Sequence, residues 1–117
     1  MKVYRILKTY RTIYKNLISL KKGDTVNLGE EEKEEKWKGW IWTETAAEKG
    51  WIPLQILEIA EDGKTGRILE DYTAKELDAD EGDSVLKIKS LNGWTWSRNM
   101  KNNDEGWIPD EIIGNHI

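Results

Sequence analysis

The side chains of this chain that are able to do chemistry are carboxylates and aromatic rings. Its one imidazole, His116, stands in a tail expected to fray, and there is no Cys. Nucleophile–base pairs, thiolate or imidazole metal sites and Gly-rich phosphate loops therefore lack their parts. Carboxylates abound, but no spacing singles out a pair for acid–base work. The cluster Glu76, Asp78, Asp80, Glu81 and Asp83 lacks the Gly and terminal Glu of a calcium loop and reads as a solvated acidic loop. No catalytic residue, cofactor or metal is expected. That leaves the rings: seven Trp and four Tyr in 117 residues, with no Phe. A flat ring with a polar tip can stack on an extended ligand and hydrogen-bond to it, so the chemistry is that of binding.

The rings are spaced by a repeat. Gly50-Trp51-Ile52-Pro53 recurs as Gly106-Trp107-Ile108-Pro109. Upstream, Trp40-Ile41-Trp42 answers Trp94-Thr95-Trp96, and Gly23-Asp24 answers Gly82-Asp83. Arg5-Ile6-Leu7 answers Arg67-Ile68-Leu69, and Tyr10 answers Tyr72. The offsets change only in the polar stretches between landmarks, where loops tolerate insertions. Trp37 alone among the tryptophans has no counterpart.

Within each copy the apolar period is two. Val26 and Leu28 alternate with polar neighbours; Ile41 and Thr43 take one side of a strand, Trp40 and Trp42 the other. Gly and Asp mark the turns. Short strands at this spacing predict a small antiparallel barrel for each copy. Lys87 falls where the first copy has Leu28, which calls for a bulge or a register difference there. Glu61-Asp62-Gly63-Lys64-Thr65-Gly66 reads as a linker, giving domains at 1–60 and 67–117.

Charge narrows the function classes. Residues 1–60 carry 11 Lys/Arg against 9 Asp/Glu, and residues 61–117 carry 7 against 13. Neither half offers the basic face of a nucleic-acid binder. No apolar run reaches the length of a membrane span, and the N-terminus lacks the unbroken apolar stretch of a secretory signal, so a cytoplasmic location is expected.

The landmarks resemble the Src-homology-3 domains, taken twice, of a bacterial or archaeal variant type. The carrying residues are Ile68-Leu69-Glu70-Asp71-Tyr72, the Gly-acid turns at Gly23-Asp24 and Gly82-Asp83, Trp40 and Trp94, and the two Gly-Trp-Ile-Pro steps. The resemblance implies an all-β fold of two tandem five-stranded barrels, each with a shallow aromatic groove for proline-rich peptides. A polyproline II segment is extended before it binds, so ordering it costs little entropy. Carried over residue by residue, the peptide-binding positions are Tyr10, Trp40, Trp51, Pro53 and Ile56 in the first copy. In the second they are Tyr72, Glu76, Trp94, Trp107, Pro109 and Ile112. Two groove tyrosines of the family are replaced in each copy, by Lys8 and Ile56 and by Glu70 and Ile112. Glu76, beside the loop's apolar anchor, suits a basic ligand; Leu17 holds that place in the first copy, near Lys8, Arg11 and Lys15.

These readings have plainer counterparts. Trp40 and Trp94 line a groove or fill a core. Trp51 and Trp107 touch a ligand or cover the core or a contact between copies. Trp42 and Trp96 read as structural, and Tyr10 and Tyr72 suit either role. The run Glu30–Lys38 reads as a solvated hairpin loop, in which Trp37 needs a covering partner. The expected function is a non-catalytic protein-interaction module that binds short extended peptide segments, proline-rich and basic, of a partner protein. The alternatives are a structural protein whose grooves are covered by the neighbouring domain or another copy of the chain, and a binder of cell-wall peptides.

Overall fold

The duplicated motif is explained by strand pairing. In a computed structural model that describes residues 2–12 and 18–116, the strand Trp40–Glu44 runs antiparallel to Lys49–Pro53, and Trp94–Asn99 runs antiparallel to Glu105–Pro109. Trp40 stands opposite Pro53, Ile41 opposite Ile52 and Trp42 opposite Trp51. Trp94, Thr95 and Trp96 face Pro109, Ile108 and Trp107 in the same way. Alternation does the rest. Ile41, Thr43 and Ile52 are buried on one face, as are Thr95, Ser97 and Ile108, while the indoles lie on the other.

Among the described residues all regular structure is strand apart from three single-turn 3-10 helices at Glu35–Trp37, Leu54–Ile56 and Asp110–Ile112. In chain order the strands are β1 Val3–Ile6, β2 Ser19–Leu20, β3 Thr25–Glu31, β4 Trp40–Glu44, β5 Lys49–Pro53 and β6 Leu57–Ile59. Then follow β7 Thr65–Ile68, β8 Tyr72–Thr73, β9 Ser84–Leu91, β10 Trp94–Asn99, β11 Glu105–Pro109 and β12 Ile113–His116. They form two five-stranded sheets, ordered β11-β10-β9-β1-β12 and β5-β4-β3-β7-β6, and the short pair β2-β8.

The division into compact units departs from the division expected at 1–60 and 67–117. Unit 1 comprises Met1–Lys15 with Lys75–Ile117, and unit 2 comprises Asn16–Ala74. The reason is an exchange of opening strands. β1, from the first copy, pairs with β9 and β12 of the second. β7, from the second copy, pairs with β3 and β6 of the first. Corresponding bonds recur in both units: Leu7 N–H donates to Ile112 O at 2.7 Å and Leu69 N–H to Ile56 O at 2.7 Å.

The stretch 61–66 is accordingly a hairpin turn rather than a linker. β6 and β7 are antiparallel neighbours, and Ala60 N–H donates to Thr65 O at 2.9 Å. The Asp62 carboxylate accepts from the backbone N–H of Lys64 at 2.8 Å and of Thr65 at 3.3 Å, and Gly63 supplies the positive φ of 68° that the turn needs.

Each unit has its own core. That of unit 1 is Ile6, Leu77, Ala79, Val85, Ile108 and Ile112, with Tyr4, Tyr10 and Ile113 packed at its margin. In unit 2 the equivalent places hold Ile68, Ile18, Leu20, Val26, Ile52 and Ile56. The irregularity expected near Lys87 is present: the register of β9 on β10 slips between Lys89 and Lys87, leaving Ile88 over. A corresponding slip in β3 lies between Leu28 and Glu31. The Glu30–Lys38 run is mostly exposed, with Trp37 half-buried at the end of its 3-10 turn.

Candidate functional site

The face of unit 1 that bears the indoles gathers one tyrosine, two carboxyl groups, three indoles and a proline. Tyr10 is fixed by its backbone, whose N–H donates to Ala79 O at 2.8 Å while its carbonyl accepts from Ala79 N–H at 3.1 Å. Its ring meets Trp94 edge to face, with centroids 6.4 Å apart and planes at 76°. This geometry sets a positive ring edge against a negative ring face. The Tyr10 hydroxyl donates to Glu76 Oε1. Pro109 lies across from Trp94 on β11 and is half-buried, as are Trp94 and Tyr10.

Glu76 is placed by the second Gly-Trp-Ile-Pro step. Leu77 N–H donates to Trp107 O at 2.9 Å, and Trp107 N–H donates to Lys75 O at 2.9 Å. Such an approach requires glycine at position 106, since a Cβ there would lie 2.7 Å from Leu77 N and 2.8 Å from Glu76 C. Burial raises the pKa of Glu76; the hydrogen bond from Tyr10 works against that, and the nearby charge of Asp78 adds to it.

Trp96 and Trp107 also stack edge to face, at 5.5 Å and 77°. Trp96 Nε1 donates to Glu105 Oε1 at 2.8 Å, and Arg98 closes on the same carboxylate at 2.8 Å. These two donors hold the pKa of Glu105 below its ordinary value.

Two members of the acidic loop, Asp80 and Asp83, meet cations. Asp80 accepts from Arg11 and from Lys101, the latter at 2.8 Å, which lowers its pKa to about 2. Asp83 also receives Lys101, at 3.1 Å, and Asn99 Nδ2, at 3.0 Å. Among the described residues no group of three or more His, Cys, Asp or Glu is placed to hold a metal ion.

Unit 2 has a matching but different face. Trp42 and Trp51 repeat the edge-to-face pair at 5.4 Å and 75°, and Trp42 Nε1 donates to Glu44 at 3.1 Å. Trp51 is 39% exposed where its counterpart Trp107 is 7% exposed. Tyr72 is buried and pairs through its backbone with Leu20. The Trp40 indole N–H is buried and has no hydrogen-bond partner among the described residues. Leu17 and Lys15, which hold the place of Glu76 and its surroundings, lie outside the described residues, as does the side chain of His116.

The expected grooves are therefore regrouped. Tyr72 belongs to unit 2, and the tyrosine that meets Trp94 is Tyr10. Ile56 and Ile112 line neither face. Each ends a 3-10 turn with its side chain in the core, 1% and 7% exposed. Pro53 is buried and Pro109 is not.

Residues 3–60 match the variant SH3 domain. That span follows the sequence copy, so it includes β1 and excludes β7. The chain is also similar to SH3 and PX domain-containing protein 2B of Homo sapiens, 29% identical over 126 aligned residues that cover 94% of this chain and 13% of that protein. The Mus musculus protein of the same name is 28% identical with the same coverage. The chain thus spans about an eighth of the length of these relatives. No solved structure gives a significant match. No helix among the described residues is long and apolar enough to cross a membrane.

Reading the SH3 landmarks along the chain missed the pairing of Tyr10 with Glu76 and of Arg11 with Asp80. The signal was one of charge: Arg11 has acids to meet in the second copy, at 78 and 80, and a lysine at the equivalent place, 21, in its own.

Proposed function

We propose that the chain is a non-catalytic protein-interaction module, built from two tandem SH3-like barrels that have traded opening strands. SH3 homology itself suggests an interaction module. On this reading the working groove is on unit 1, where Tyr10, Trp94, Trp96 and Pro109 receive a short extended segment of a partner protein. Glu76 draws a Lys or Arg of that segment. The observation that carries the reading is the edge-to-face contact of Tyr10 and Trp94 with a partly buried carboxyl group bonded to the same tyrosine. An extended, proline-rich and basic peptide suits such a face, because its rings stack on indole and its cation finds the acid. One shallow groove of this kind binds in the range of about 1 μM, or about −8 kcal/mol.

Unit 2 supports a structural reading of its own face. Tyr72 is 8% exposed, and the Trp40 indole N–H is closed off from solvent. The test is a titration of Trp fluorescence with proline-rich basic peptides, run on the parent chain, on Trp94→Ala and on Trp40→Ala. Loss of saturable binding in Trp94→Ala alone is the expected result. Equal binding by all three removes the unit 1 groove from the account.

A further inference from the structure

The backbone bonds that hold each exchanged strand are duplicated place for place. In unit 1, Ile6 N–H donates to Asp83 O at 2.8 Å, Gly82 N–H to Ile6 O at 2.8 Å, and Glu81 N–H to Thr9 Oγ1 at 2.9 Å. In unit 2, Ile68 N–H donates to Asp24 O at 2.9 Å, Gly23 N–H to Ile68 O at 2.7 Å, and Lys22 N–H to Asp71 Oδ1 at 2.8 Å. Thr9 and Asp71 are equivalent, as are Glu81 and Lys22. The apolar contacts are equivalent too, Ile6 for Ile68 and Tyr10 for Tyr72. A chain in which each copy closed on its own opening strand would repeat these backbone bonds. Two features outside this ladder favour the exchange: the tight turn 61–66 joins β6 to β7 only in this pairing, and in the self-closed one Tyr4 would take the place of Gly66, where a Cβ lies 2.6 Å from Leu57 Cδ1.

The charges favour the exchange as well. In the exchanged pairing Arg11 sits on Asp80 and donates to Ala79 O at 3.0 Å, while Thr12 N–H donates to the Asp78 carboxylate at 3.0 Å. On the other side Asp71 receives Lys22 N–H and lies 4.0 Å from Lys21 Nζ. In the self-closed pairing Lys21 stands where Asp80 is and Ser19 where Asp78 is, so Arg11 faces a lysine. Asp71 then faces Asp80 and Glu81. Two attractive groupings become two repulsive ones. Each exposed pair is weak. Like charges directly across strands are nevertheless destabilising.

We infer that Arg11, Asp71, Lys21, Lys22, Asp80 and Glu81 form a charge code that biases the chain toward intrachain exchange of the opening strands and so toward Tyr10, not Tyr72, beside Glu76. The inference is independent of the peptide reading, because its test requires no ligand. These six are positioning residues: they bias which tyrosine completes the aromatic face that carries the acid.

The chain has no Cys, so introduced pairs report cleanly. Ser19 and Thr73 are opposite one another in β2-β8, and Ser19→Cys with Thr73→Cys should close a disulfide within one chain under mild oxidation. Thr73→Cys with Asp78→Cys reports the self-closed pairing instead. The critical variant transposes the code by Lys21→Asp, Lys22→Glu, Asp80→Lys and Glu81→Lys, which leaves net charge unchanged. Its ratio of 19–73 to 73–78 bridge should fall roughly tenfold or more relative to the parent, as expected for two pairs that change sign. A parent that forms no intrachain 19–73 bridge, or forms it only between chains, overturns the inference. So does a transposed chain that keeps the parent's ratio or closes neither bridge.

Discussion

The two Gly-Trp-Ile-Pro steps are identical in sequence but should respond differently to one added methyl group. At Gly106 a Cβ would meet backbone atoms, 2.7 Å from Leu77 N and 3.0 Å from Glu76 O. Backbone cannot rotate aside, so the segment 75–77 must move away from β11. That movement lengthens two hydrogen bonds of 2.9 Å, between Leu77 and Trp107 and between Trp107 and Lys75. Overpacking costs about 1–3 kcal/mol and each weakened bond about 1 kcal/mol, for a total near 3 kcal/mol. At Gly50 the nearest atom is Ile18 Cγ2 at 3.3 Å, the end of a side chain that has only to shift by a few tenths of an ångström. The methyl there also reduces the entropy of the unfolded chain, worth about 0.4–1 kcal/mol. Gly50→Ala should therefore be within about 1 kcal/mol of the parent, and Gly106→Ala about 3 kcal/mol less stable. Urea unfolding followed by Trp fluorescence measures both, and with a slope of about 1–3 kcal/mol/M the midpoint of Gly106→Ala should fall by about 1–3 M. Equal midpoints, or a larger loss in Gly50→Ala, would refute the idea that close backbone approach is what requires glycine at the second step.

Three further outcomes are expected. Trp107→Ala should destabilise by about 3 kcal/mol or more and Trp51→Ala by less than about 1.5 kcal/mol, since one indole is buried and the other partly exposed; thermal unfolding of the pair checks the order. Burial raises the pKa of Glu76 in the folded chain, so the folded state holds its proton to higher pH than the unfolded state. Stability from this group falls as pH rises from the ordinary value of 4.5 through the raised one, and Glu76→Gln should remove that decline from a pH series of urea midpoints. Asp80 acts in the opposite sense: with a folded pKa of about 2 against an ordinary 3.8, its contribution is present above about pH 4 and lost as pH falls toward 2. Asp80→Asn should therefore flatten the acid limb of that series and leave the slope due to Glu76 in place.

Much of the fold was legible because it follows from alternation. Ile41 and Thr43 go inward and Trp40 and Trp42 outward for no reason beyond a period of two, and a slip of register lies beside Lys87, matched by one beside Leu28. The exchange was not legible from that pattern. Offsets that align Ile6 with Ile68 and Gly23 with Gly82 fit a strand closing on its own copy as well as on the other. The turn 61–66 was read as a linker because a tight β6-β7 hairpin and a short tether use the same residues, Asp, Gly and Lys. At the site, Trp94, Pro109 and Glu76 were placed on one face from the sequence, but Tyr72 was chosen where Tyr10 stands. Ile56 and Ile112 were assigned to the groove from the family pattern, although a 3-10 turn after proline rotates them into the core.

The seam between the duplicated halves, Ala60 to Thr65, lies inside unit 2. A protease nick there would not liberate a pair of finished bodies. It would leave two fragments, each holding one strand that completes the other's sheet, so that they remain bound after the cut and each is deficient when made alone. Recombination at that point would likewise transmit half-built domains, which ties the inheritance of either half to the presence of its twin.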